Sequence, residues 1–263
     1  MAMKPVILIF TGAWHIPEHY SLLSSQLRHR GYTVECPLHK TNNNAQPPNA
    51  TLDGDIEQIR ALANHYLEDG KDLVALMHSY GGIIGTSAFS GLGPNDRPGK
   101  VCVKALIYVC SFIPVEDESL AGIFGGALPP WLHPNDRGTI DVDNPIHHFY
   151  SDLAGERQQF WSAKLVCHPT DAQLNPPKTK VEAAWRTIPV TYLICDGDEA
   201  LPPAVQEMMI SRIEEAGGLA VYRERCDASH SPFLSMPERV VEVVNNICEK
   251  VQRIEGLRAA PLL

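Results

Sequence analysis

A serine hydroxyl becomes a useful nucleophile only when a base can take its proton and an acid orients that base. The chain offers such a set. Ser79 lies in Asp72-Leu73-Val74-Ala75-Leu76-Met77-His78-Ser79-Tyr80-Gly81-Gly82, where a short apolar run stops at His-Ser-x-Gly-Gly and a helix-compatible segment follows. That is the layout of a serine held on a tight strand-to-helix turn. Gly81 suits a turn whose side chain would collide with a neighbouring strand. A helix starting at Tyr80 aims its free N–H groups and positive dipole end at the serine, so the Tyr80 N–H is a candidate donor to a developing oxyanion. Met77 stands where the usual G-x-S-x-G pattern has its first glycine. A polar turn after a buried strand is the plainer alternative.

Candidate partners follow downstream. The apolar run Val190–Cys195 leads into Asp196-Gly197-Asp198-Glu199, a carboxylate-rich turn. The run 219–222 leads into Asp227-Ala228-Ser229-His230-Ser231-Pro232, a loop histidine ahead of the last helix. Singly, the first could be a solvated turn and the second a surface residue. Serine, acid and histidine at the ends of successive strands are hard to obtain together by chance.

The elements that must position them alternate. Runs 6–10, 32–36, 73–77, 103–110, 190–195 and 219–222 read as strands, mostly apolar throughout, as expected where both faces are buried. Helical patterns fall between them: from Pro17 to Gly31, through Ile56, Ile59, Ala63 and Leu67 to Gly70, over 203–216, and over 237–253. This predicts an α/β fold, a mostly parallel sheet with helices on both faces. Residues 115–187 break the rhythm with Gly125-Gly126, Pro129-Pro130-Trp131, Pro176-Pro177 and several aromatics, and show no obvious strand. They are expected to form a small helical cap inserted after a central strand, selecting the substrate and leaving the chemistry to a core of residues 1–114 and 188–263. Trp131, His133, Phe149 and Trp185 would then roof a pocket, or form the cap's own core.

Composition narrows the function. In 263 residues the net charge is −9, with no Lys/Arg block, which argues against nucleic acid and anionic membranes as partners. The apolar run 6–10 is too short for a signal-peptide core or a membrane span. The 7 cysteines are scattered without C-x-x-C, which fits free thiols in a cytoplasmic protein. No H-E-x-x-H or Cys/His cluster suggests a metal, and no G-x-G-x-x-G follows the first strand, so no cofactor is expected.

The stretches Thr11-Gly12-Ala13-Trp14-His15-Ile16-Pro17-Glu18-His19-Tyr20, Met77-His78-Ser79-Tyr80-Gly81-Gly82, Val190-Thr191-Tyr192-Leu193-Ile194-Cys195-Asp196-Gly197-Asp198 and Ser229-His230-Ser231-Pro232-Phe233-Leu234 carry a resemblance to a known family. The chain resembles an α/β-hydrolase of the compact type that includes plant methylesterases and hydroxynitrile lyases, and more closely a group of fungal α/β-hydrolases of secondary metabolism. The order serine, acid, histidine is that family's order. The resemblance implies Ser79 as nucleophile, Asp198 as acid with Asp196 as the alternative, and His230 as base. It implies Ala13 as the second oxyanion donor beside Tyr80, although many relatives have His-Gly where this chain has Thr11-Gly12. Trp14 and His15 would line the acyl pocket, or Trp14 would pack under the helix after Pro17. The expected function is hydrolysis of a small or medium ester or lactone through an acyl-enzyme, with a homodimer left open. The alternatives are a lyase or other tailoring enzyme on the same scaffold, or a ligand receptor. Plant hydroxynitrile lyases carry Lys beside the catalytic histidine; Ser231 stands there in this chain, which argues against cyanohydrin cleavage.

Overall fold

The structure, a computed structural model, describes residues 3–259. Six parallel strands form the main sheet: β1 (Val6–Phe10), β2 (Val34–Glu35), β3 (Leu73–His78), β4 (Val103–Val109), β7 (Val190–Cys195) and β8 (Tyr222–Cys226), in the order β2-β1-β3-β4-β7-β8. Every residue of β1, β3 and β7 is buried. Side chains alternate between the faces of a strand, so both faces of the sheet are covered. The cover comes from α1 (Ser21–His29), α2 (Leu52–Glu68), α3 (Gly81–Ala88), α8 (Pro203–Glu215) and α10 (Pro237–Ala259), with α1 packed on α10 and α2 on α3.

Between β4 and β7 lie β5 (Leu132–Pro134) and β6 (Ile140–Val142) with α4 (Leu120–Ile123), α5 (Pro145–Tyr150), α6 (Gly155–Ser162) and α7 (Asp171–Leu174). The short helix α9 (Pro232–Ser235) precedes α10.

Two sequence expectations are corrected. The 115–187 segment is not purely helical: β5 and β6 form an antiparallel hairpin. Each strand is only 3 residues long and includes a proline or an aspartate, which hides the usual strand signature. The last strand lies at 222–226, past the expected 219–222. It is the sheet's edge, Tyr-Arg-Glu-Arg-Cys, largely exposed and built from ion-pairing residues. Edge strands are often charged, so an apolar pattern misplaces them.

Helix α3, which carries the turn after Ser79, is Gly-Gly-Ile-Ile-Gly-Thr-Ser-Ala, a poor helix former by propensity. Packing overrides that weakness. A Cβ on Gly81 would sit 2.8 Å from the Phe10 carbonyl of β1, and one on Gly82 would overlap the Phe112 carbonyl and the Ser111 hydroxyl. Only glycine lets this helix approach so closely. By contrast, Gly155 at the start of α6 has open space where a Cβ would go. Gly82→Ala is therefore expected to destabilise by roughly 1–3 kcal/mol or more through overpacking, whereas Gly155→Ala should be neutral or slightly stabilising. Urea denaturation of both variants checks this; equal midpoints would remove the close-approach explanation.

Candidate active site

Ser79 follows the last residue of β3 with φ of 51°, a left-handed conformation that costs a non-glycine residue energy. Its carbonyl is pinned from behind. It accepts hydrogen bonds from the Ser111 hydroxyl at 2.7 Å, Gly82 N–H at 3.0 Å and Phe112 N–H at 3.2 Å. That carbonyl shares a peptide unit with the Tyr80 N–H, so the same bonds orient the N–H.

The first-strand loop is held in the same way. The Gly12 carbonyl, which shares a peptide with the Ala13 N–H, accepts from Asn42 Nδ2 at 3.0 Å. Asn42 also donates to the His15 carbonyl at 2.8 Å, while its Oδ1 accepts from His168 Nδ1 at 3.1 Å. Trp14 is a second non-glycine residue with positive φ, 63°.

His230 Nδ1 lies 2.7 Å from Asp198 Oδ2, and both side chains are almost wholly buried. The other carboxylate oxygen accepts the N–H groups of Ala200 and Leu201, each at 2.8 Å. A buried carboxylate needs such partners. Asp196 instead points outward and pairs with Arg225 of β8. Between the two aspartates, it is Asp198 that meets the histidine.

Below these groups runs a chain of buried imidazoles and phenols. His78 Nε2 donates to the His230 carbonyl at 2.8 Å, which leaves Nδ1 to accept from the Tyr20 hydroxyl at 2.7 Å. Tyr20 in turn accepts the Gly12 N–H at 2.9 Å. His15 Nδ1 donates to the Ala13 carbonyl at 2.8 Å, and its Nε2 accepts from the Tyr150 hydroxyl at 3.0 Å. Burial pushes His78 and His15 well below the ordinary imidazole value, and neighbouring histidines push the same way. Ligand atoms of His78, Cys110 and His230 lie within 4.8 Å of one another, a spacing that could admit a metal ion. Each group already has a partner: Cys110 Sγ, for example, donates to the His230 carbonyl at 3.3 Å.

Ser79 and His230 face one cavity. Trp14, Trp131 and Phe149, three of the residues proposed from the sequence for the pocket, line it with Ala13, the proposed oxyanion donor, and with Phe112, Leu120 and Phe124. Two of the expected pocket residues are elsewhere. His15 is buried behind the loop, holding the Ala13 carbonyl. His133 sits half-exposed on the hairpin, where its Nε2 is 2.7 Å from Asp143 Oδ2; on a strand only 3 residues long its side chain falls on the outer face. Trp185 is core, fully buried, with its indole N–H on the Pro114 carbonyl at 3.0 Å.

Residues 6–243 match the alpha/beta hydrolase family. The chain belongs to that family. The α/β-hydrolase nvfD of Aspergillus novofumigatus is 33% identical to it over 249 residues, 93% of this chain and 96% of that protein. Among solved structures, a pyrethroid hydrolase from Sphingobium faniae JZ-2 superposes with a TM-score of 0.73 at 22% identity, covering 94% of this chain and 97% of the other. The methylesterase MES16 from Arabidopsis does so with a TM-score of 0.67 at 16% identity, covering 92% and 98%. Sequence patterns for this α/β-hydrolase missed Asn42, Tyr20 and Ser111. Each acts across more than a dozen positions of chain, so no local motif announces it. Among the described residues no helix is long and apolar enough to cross a membrane.

The buried imidazoles make a stability prediction. Burial lowers His39 to about 4 and His168 to about 3, while the usual value is 6.5. These rings, with His15 and His78, stay neutral when folded and take up protons on unfolding. Their contribution is complete above 6.5 and is lost as pH falls, through about 4 for His39 and about 3 for His168. Asp55 acts oppositely: burial raises its carboxyl from 3.8 to about 6, so its contribution is present below 3.8 and lost as pH rises through 6. The histidines outnumber it. Unfolding free energy from urea titrations should therefore fall steadily between about pH 6.5 and 4.5, by up to about 1.4 kcal/mol per pH unit for each histidine. A flat profile would mean that these rings are protonated in the folded protein.

Proposed function

We propose that this α/β-hydrolase cleaves a small or medium ester or lactone through an acyl-enzyme on Ser79. The observation that carries the proposal is the closed Asp198–His230 pair facing the same apolar cavity as a serine in a strained turn. With Nδ1 held by Asp198, Nε2 of His230 is the nitrogen left to serve as base. It takes the Ser79 proton as Oγ attacks the substrate carbonyl. The oxyanion is received by the N–H groups of Ala13 and Tyr80, whose peptides are fixed through their carbonyls by Asn42 and by Ser111 with Phe112. Protonated His230 gives its proton to the leaving alkoxide. It then activates water to attack the acyl-enzyme, which restores the serine. Apolar walls from Trp14, Trp131 and Phe149 lower the local dielectric and strengthen each of these electrostatic steps. Residues 115–187 act in this scheme as a lid over the cavity.

The test is turnover of p-nitrophenyl esters of graded chain length, with a lactone panel. Ser79→Ala should lower kcat by roughly 10⁴-fold or more with the fold intact, because such a set acts as a unit. Near-native turnover in that variant would end the serine mechanism. Multiple turnovers by the wild type also separate an enzyme from a receptor that merely binds.

The acid should be as selective as the geometry. Asp198→Asn is expected to cost far more activity than Asp196→Asn, whose partner is a surface arginine. The reverse ranking would move the acid to the outer position. Asn42→Ala should lower kcat by about tenfold or more with little change in KM, because it loosens a peptide aimed at charge that develops only in the transition state. A pure KM effect would assign Asn42 to substrate binding instead.

A further inference from the structure

The cavity lining contains a side-chain carboxamide that the proposed hydrolysis does not use. Gln173, in the short helix α7, is fully buried and faces the same space as Ser79 and His230. Among the described residues, neither its Nε2 nor its Oε1 has a hydrogen-bond partner in the protein. Buried side-chain amides are nearly always paired, so a wholly unpaired one calls for a cause. The apolar stretch of wall formed by Phe112, Leu120, Phe124 and Leu132 offers it no partner, and the polar lining groups Ser79 and His230 make no hydrogen bond to it.

We propose that Gln173 is a substrate-recognition residue, and that the substrate is a neutral, mainly apolar ester or lactone bearing one group that both donates and accepts a hydrogen bond, a hydroxyl or a secondary amide. A carboxamide presents a donor and an acceptor side by side, and only a group with both functions satisfies it. An ether or ketone would pair with Nε2 and leave Oε1 bare. A charged group would meet no Lys, Arg, Asp or Glu among the lining residues. Discrimination of this kind is strong, because a site built for a polar group leaves its own atoms unpaired when an apolar analogue binds. The ester part of the proposal rests on the serine-hydrolase reading; the recognition part does not.

The experiment separates the two. Methyl phenylpropanoate and its meta- and para-substituted hydroxyphenyl and acetamidophenyl analogues are titrated calorimetrically into Ser79→Ala protein. At least one polar analogue should bind about tenfold or more tightly than the parent, the ratio that ~1.4 kcal/mol of hydrogen bonding produces. In Ser79→Ala/Gln173→Met the ratio should fall to about one, with the parent binding no worse. Ser79→Ala/Gln173→Asn, a milder change, should lower it too. No preference for any analogue in Ser79→Ala protein, or a preference that survives both substitutions, overturns the proposal. Turnover of the same esters by wild-type enzyme reports on the serine separately. Selective binding without turnover would keep Gln173 as a recognition residue and end the hydrolase reading. Turnover without selectivity would do the reverse.

Discussion

Everything in the site hangs on a backbone carbonyl. Ser79 must leave β3 with φ of 51°, a conformation that its own residue type disfavours. The strain persists because the Ser79 carbonyl is held by a side chain and backbone N–H groups from the Ser111–Phe112 strand end and from α3. Those bonds require α3 to lie against β1 and against the end of β4, and that proximity requires Gly81 and Gly82. The chain of cause runs from glycines, to helix approach, to a pinned peptide, to a serine turned into the cavity. A helix of good propensity but ordinary bulk could not supply it.

The second constraint is that strand ends far apart in sequence must agree on position to a fraction of an ångström. His78 links the serine turn to the His230 carbonyl, and Tyr20 links His78 to the Gly12 N–H. One imidazole and one phenol thus tie the loops after β1, β3 and β8 together. Such a network is worthwhile only if every member is satisfied, and the neutral His78 ring has both of its nitrogens engaged. Protonation would put a hydrogen on Nδ1, against the hydroxyl hydrogen that Tyr20 now donates to it, while the Tyr20 oxygen already accepts from Gly12.

The fold was legible because its signals are local and repetitive. Continuous apolar runs marked β1, β3, β4 and β7, and the turn, the acid and the histidine lay at strand ends in a known order. Preferring Asp198 to Asp196 required the resemblance; in the structure Asp198 meets His230, whereas Asp196 lies beside the exposed edge strand, within reach of Arg225. What was not legible depends on contacts across the chain. Nothing near Asn42 reveals that a loop of asparagines and prolines bonds to Gly12, His15 and His168. His15 looked like a pocket residue because it follows Ala13, yet the turn at Trp14 sends it behind the loop to hold the Ala13 carbonyl. Charged edge strands and three-residue hairpins escape pattern reading for the same reason that they are stable: their partners lie elsewhere.

The 115–187 segment was expected to select substrate and leave the chemistry to the sheet. Its contacts give it a larger part. Asp152 accepts from the Ser229 N–H at 2.9 Å, immediately before His230. The Val166 N–H bonds to the Trp14 carbonyl at 2.9 Å, and the Trp14 indole N–H to the Ile140 carbonyl at 3.2 Å. His19 meets the Trp161 carbonyl at 3.3 Å. The segment therefore clamps the loop that carries Ala13 and the loop that carries His230, besides supplying apolar wall. Swinging it away as one rigid body would break these bonds and release both loops at once. Entry to the cavity is then better served by smaller movements of its aromatic wall, such as Trp131, whose ring stacks on His148 and meets Phe149 edge-on. A clean division between the sheet and a separable 115–187 segment does not hold where that segment is hydrogen-bonded to the loops that carry Ala13 and His230.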